Sequence, residues 1–137
     1  MLWPRRPRES TDTQPDRQAR CQAVLSSLRV VLPGVRAFLI LDAGGKVLDS
    51  ATVDRRLDLS LLASELATLL RIVDHTSKGT GLGELREQIL VATTSMTIIR
   101  HLPRNRFAVF VCAPDEHLGR LRYELKRSLL YSTFSNL

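Results

Sequence analysis

Val35-Arg36-Ala37-Phe38-Leu39-Ile40-Leu41, then Asp42-Ala43-Gly44-Gly45-Lys46, then Val47-Leu48-Asp49-Ser50-Ala51-Thr52-Val53 is the stretch on which the fold turns. The first run is apolar at successive positions, apart from Arg36, as a central strand covered on both faces requires. Gly44 and Gly45 sit among residues that tolerate positive φ, so a turn is expected there. In the second run Val47, Ala51 and Val53 are expected to point one way with Asp49 between them, and Leu48, Ser50 and Thr52 the other. That mixed pattern suits an edge strand.

Working outward, a helix is predicted from near Asp16, its N-cap, with Ala23, Val24, Leu28, Val31 and Leu32 at helical spacing. Pro33-Gly34 ends it. After Asp54-Arg55-Arg56 a second helix is predicted over residues 59–75, capped by Asp58 or Ser60. Lys78-Gly79-Thr80-Gly81-Leu82-Gly83 then reads as a glycine-rich connector. Strands are predicted over 86–93, 96–102 and 106–112, with turns at Thr94-Ser95 and Pro103-Arg104-Asn105. Pro114-Asp115-Glu116 is read as the start of a last helix burying Leu118, Leu121, Leu125 and Leu129. Phe107-Ala108-Val109-Phe110-Val111-Cys112 is the other doubly apolar run. If it pairs with the first strand, the sheet order is 2-1-5-4-3, with helices on both faces.

The chain has 137 residues, 44% hydrophobic and 25% charged, with a formal net charge of +6. One domain is expected (16–137), preceded by a flexible basic arm (1–15) rich in Pro, Arg, Ser, Thr and Asp. No apolar run approaches the ~20 residues that span a bilayer, and no apolar stretch follows the first arginines as in a signal peptide. Cys21 and Cys112 lie outside any ligand pattern and suit a reduced, cytoplasmic protein. The basic balance admits nucleic acid, anionic membrane or an acidic protein as partner. However, the arginines are scattered, and aromatic residues make up only 5%, which argues against a dedicated nucleic-acid surface.

No catalytic or cofactor constellation emerges. Gly79-Thr80-Gly81-Leu82-Gly83 follows a predicted helix and precedes a strand, the reverse of a phosphate loop, and Lys78 is on the wrong side of it. His75, His101 and His117 lack metal-ligand spacing. Ser60 and Ser64 have no adjacent base. No metal and no cofactor is expected.

Pro33-Gly34-Val35, the Asp42-x-Gly44-Gly45 turn and Leu62-Ala63-x-x-Leu66-Ala67 recur in a familiar order. They are followed by Gly83-Glu84-Leu85, Arg100-His101-Leu102, Phe107-Ala108-Val109 and Leu118-Gly119-x-Leu121-Arg122. In that order and spacing, over residues 17–131, the chain resembles the roadblock domain family. The resemblance implies a profilin-like (roadblock/longin-type) α/β sandwich that dimerises, commonly through the third strand and second helix of each subunit. It implies small Ras-like GTPases or other roadblock proteins as partners. Some bacterial relatives are GTPase-activating proteins in cell polarity and gliding motility; others are adaptors. The family supplies no catalytic arginine, so no residue here inherits a catalytic role.

On the second helix, Leu62, Leu66, Leu69, Leu70, Val73 and Ala63 fill one broad face at about 100° per residue. Leu61 and Ile72 lie outside it, flanking Glu65. They either edge the core or meet a second subunit or a GTPase, and the breadth of the apolar stripe favours the interface. Ile89 and Val91 lie on an apolar third strand that is an edge in a monomer, and the resemblance favours its pairing with a second copy. Arg5, Arg6 and Arg8 of the arm, with Arg120 and Arg122 of the last helix, are candidate electrostatic contacts. The expected function is a non-catalytic dimeric adaptor or regulator of a small GTPase module. The alternatives are a GTPase activator, a basic module for nucleic acid or anionic membrane, and a small-molecule sensor.

Overall fold

A computed structural model describes residues 14–127, with side-chain surroundings from Ala19 to Lys126. The elements are α1 (Gln14–Val31), β1 (Val35–Asp42), β2 (Val47–Thr52), α2 (Leu59–Gly79), β3 (Glu87–Val91), β4 (Met96–Leu102), β5 (Arg106–Cys112) and α3 (Leu118–Arg127). The five strands form one antiparallel sheet in the order β2-β1-β5-β4-β3. This is the predicted order, and the predicted reason holds. β1 and β5 are the doubly apolar strands, and both are buried on both faces because helices cover both sides of the sheet centre.

One face carries Phe38, Ile40, Ile98 and Phe110 against Cys21, Leu25 and Leu28 of α1, Leu32 just after it, and Leu121 and Leu125 of α3. Phe38 and Phe110 stack with ring centroids 4.7 Å apart. The other face sets Ala37, Leu39, Leu41, Ile99, Val109 and Val111 against Ala63, Leu66 and Leu70 of α2. Leu129 lies outside the described residues.

Several local expectations are corrected. α1 is already helical at Gln14, the first described residue, so Asp16 lies within the helix rather than at its N-cap. The β1–β2 register slips between Ile40 and Leu41: Ile40 pairs with Asp49 and Leu41 with Val47, leaving Leu48 as an extra residue. This bulge breaks the alternation. Val47 therefore joins the α2 side while Ala51 packs under α1, although simple alternation put them together. In the turn only Gly45 has a positive φ, at +90°. Gly44 instead donates its N–H to Asp42 Oδ1 at 2.9 Å, and Lys46 N–H donates to the same oxygen at 3.0 Å.

α2 is capped by Asp58, whose carboxylate accepts from Leu61 N–H at 3.1 Å, and it continues past His75 to Gly79. The glycine-rich segment ends the helix at Gly79, as expected, and then folds back on the helix end. Buried Ser77 donates through Oγ to Gly83 O at 2.6 Å, and Leu82 N–H donates to Ser77 O at 3.0 Å. β3 is shorter than predicted because Ala92 N–H already closes the turn onto Ser95 O at 2.8 Å.

α3 starts at Leu118, not at Pro114-Asp115-Glu116. Glu116 is occupied elsewhere, accepting from Gly34 N–H at 2.8 Å and so tying the α1–β1 turn to the end of β5. The cap falls to His117, whose Nδ1 accepts from Arg120 N–H at 3.1 Å.

Candidate interaction surface

The two edges of the sheet differ in ways that govern association. An open edge strand invites another chain unless it is bulged, charged or covered. β2 has those devices: the bulge at Leu48, an inward-facing and buried Asp49, and α1 packed across it. β3 pairs with β4 in unbroken register from Glu87–Arg100 to Val91–Met96. Its one charge, Glu87, is at the first position and is held by Arg100 Nη1 at 2.8 Å and Arg122 Nε at 2.8 Å. Gln88 to Val91 carry no charge, proline or bulge.

Hydrogen-bond parity identifies what β3 offers. His101 N–H donates to Arg86 O, and Ala92 N–H donates to Ser95 O. In an antiparallel pair such residues alternate, so Arg86, Gln88, Leu90 and Ala92 turn their backbone groups towards β4. Glu87, Ile89 and Val91 therefore turn N–H and C=O outward. The side chain of Ile89 packs half-buried against the α1 side of the core, so it adds little exposed surface. Val91 is 70% exposed, and Leu90, which sequence reasoning left out, is also exposed.

On α2, positions 61, 65 and 72 fall within roughly 40° of one another on the helix surface. The buried Ala63, Leu66, Ala67, Leu70 and Ser77 lie on the opposite side. Leu61 and Ile72 are 56% and 60% exposed, with exposed Glu65 between them. Leu69, read from spacing as a core residue, is exposed as well, extending the outward apolar face. α2 packs chiefly over β1 and β2.

The remaining candidates are dispersed. Arg120 is exposed in the first turn of α3, and Arg122 is committed to Glu87. Arg5, Arg6 and Arg8 lie outside the described residues. Burial pushes the Cys112 thiol up to about 11, and its Sγ lies 3.4 Å from Met96 O, so it stays protonated at neutral pH. No helix among the described residues is long and apolar enough to cross a membrane.

No family model and no curated protein matches this sequence. Solved structures do. The fold is that of the roadblock domains. A Roadblock/LC7 domain from Streptomyces avermitilis superposes with a TM-score of 0.70 at 14% identity, covering 82% of this chain and 92% of that one. The gliding protein MglB from Thermus thermophilus gives 0.72 at 19% identity, covering 88% and 92%. MglB in a tetrameric arrangement gives 0.73 at 19% identity, covering 87% and 88%. At these identities the likeness concerns the fold, a roadblock-type sandwich over nearly the whole chain.

Proposed function

We propose that this chain is a non-catalytic, dimeric roadblock adaptor or regulator. It binds a small Ras-like GTPase module, directly or through another roadblock protein, in the cytoplasm of a bacterium and in the service of cell polarity or motility. The observation that carries the reading is the asymmetry of the sheet edges. β2 is bulged and covered, whereas β3 presents outward backbone groups at Glu87, Ile89 and Val91 in an apolar strand. A second copy adding there removes both open edges and makes one continuous sheet. The exposed residues Leu61, Leu69 and Ile72 extend the apolar surface available for association. Burying the open parts of Leu61, Ile72 and Val91 is worth about 3–6 kcal/mol per copy. Counted in both copies, that is of the order of the ~4–15 kcal/mol lost on association, with backbone hydrogen bonds adding to it.

Multi-chain assembly of a similar fold supports the reading, since one such structure is an MglB in a tetrameric arrangement. Were the protein a GTPase activator, it would act by holding the GTPase's own catalytic loop in place. The test is light scattering of the purified chain alone and mixed with a Ras-like GTPase loaded with GDP or a non-hydrolysable GTP analogue. A dimer that binds the triphosphate form without accelerating hydrolysis fits an adaptor; acceleration fits an activator. A monomer that binds neither form contradicts the proposal.

A further inference from the structure

At the end of the sheet away from Val91, two surface cavities meet. One, of about 360 Å³, opens between the C-terminal half of α2 and the β4–β5 turn. The other, of about 400 Å³, lies between the approach to β3 and the same turn. Both are lined by Glu84, Leu85, His101, Asn105 and Phe107, so they are two lobes of one groove. Each is within the size range of ligand sites. His101 stands where they join, its ring edge-on to Phe107 at 4.8 Å and its Nε2 within hydrogen-bond distance of the Gln88 amide.

The walls are strongly basic. Some of that charge is already matched: Lys78 pairs with Asp74 at 3.2 Å and Arg100 with Glu87 at 2.8 Å. Arg71 and Arg86 are exposed, Arg106 is half-buried, and none of the three has an ion pair among the described residues. Against them stands Glu84. Between the arginines, half-buried Leu85 and Phe107 give the groove apolar patches beside His101 and Asn105.

We infer that this groove binds an acidic peptide segment of a partner protein, one in which carboxylates alternate with apolar side chains. Arginine forks match carboxylates bidentately, and half-buried Leu85 and Phe107 provide contacts for the apolar positions. A compact phosphate fits the site less well. The arginines come from α2, the loop before β3 and the start of β5, and α2 contributes its C-terminal half, whose partial negative charge disfavours a small anion. The chain's own residues 1–13 set Arg5, Arg6 and Arg8 against only Glu9 and Asp12, and residues 128–137 hold no acidic side chain, so the acidic occupant is another molecule. The groove shares no residue with the outward faces of β3 and α2, so this site and the proposed dimer stand or fall separately.

The test is fluorescence anisotropy of a labelled synthetic peptide alternating Glu and Leu, titrated with the full chain. The comparison is the Arg86→Ser/Arg106→Ser double variant, whose fold is checked by circular dichroism. The expected result is saturable binding that weakens with salt and is lost about tenfold or more in the double variant. It should be accompanied by shifts of the His101 ring resonances. Absence of binding by the wild type, or equal binding by the double variant, overturns the site. If a leucine-free polyglutamate peptide of equal charge, inorganic phosphate or anionic lipid vesicles compete as well as the probe, the groove is a diffuse anion surface and the peptide assignment is wrong.

Discussion

Val91→Lys separates self-association from folding. Val91 is 70% exposed in the single chain, so a lysine there meets water and changes monomer stability by no more than about 0.5 kcal/mol. In a dimer joined through β3 the same position is covered. Full burial of a valine contributes about 1.5–3 kcal/mol, so covering the open part is worth about 1–2 kcal/mol per copy. A two-fold interface counts the loss twice, giving about 2–4 kcal/mol, or a ~30- to 1,000-fold rise in the dimer Kd. Lysine is also a residue that natural edge strands use to repel addition. Sedimentation equilibrium over a concentration series, wild type against variant, reads this directly, and a thermal melt at low concentration checks the fold. An unchanged association constant with an unchanged melt would refute the placement of the interface on β3.

Three further outcomes test other parts of the structure. Gly45→Ala should cost roughly 2 kcal/mol, because φ is +90° and the new Cβ would lie 3.0 Å from Ser64 Cα and 3.1 Å from Ala67 Cβ; Gly44→Ala should be near neutral, both read by urea denaturation. Glu87→Gln should cost about 2 kcal/mol by removing charge-assisted bonds from Arg100 and Arg122. Faster amide exchange in α3 would accompany it, whereas a loss spread evenly over the chain would contradict the contact. Burial lowers the His101 pKa from its ordinary 6.5, opposed by the charges of Asp74 and Glu84. The unfolded chain therefore binds more protons there, and stability should fall as pH drops below about 6.5. Thermal melts across that range should show the slope in the wild type and a smaller one in His101→Gln.

Much of the fold was legible because it rests on strand patterning. β1 and β5 are apolar on both sides, and only the centre of a two-faced sheet can bury them, which settles the strand order. What escaped depends on particular long-range contacts. A bulge at Leu48 is one residue with no composition signal, yet it moves Val47 to the other face. Gly79 does end α2, but nothing local shows that Ser77 will reach Gly83 and draw the loop back on the helix. Glu116 looked like a helix-entry acid, but its carboxylate serves Gly34, far away in sequence. The exposed Leu61, Glu65 and Ile72 were readable from helical spacing; Leu69 was assigned to the core because spacing alone cannot say how far α2 tilts on the sheet. The basic groove was invisible because Arg71, Arg86 and Arg106 come from three separate stretches of chain: α2, the loop before β3 and the start of β5.

Whether a second strand joins β3 is tested most directly by backbone amide exchange along that strand. Gln88 and Leu90 turn their backbone groups to β4 and should be protected in any state of the folded chain. Glu87, Ile89 and Val91 face outward. With a second copy paired there, these three amides are also protected at concentrations where the protein associates, and they exchange freely on dilution or in Val91→Lys. If they exchange as fast as an exposed loop at every concentration, β3 remains an open edge and the dimer proposed for this chain is wrong.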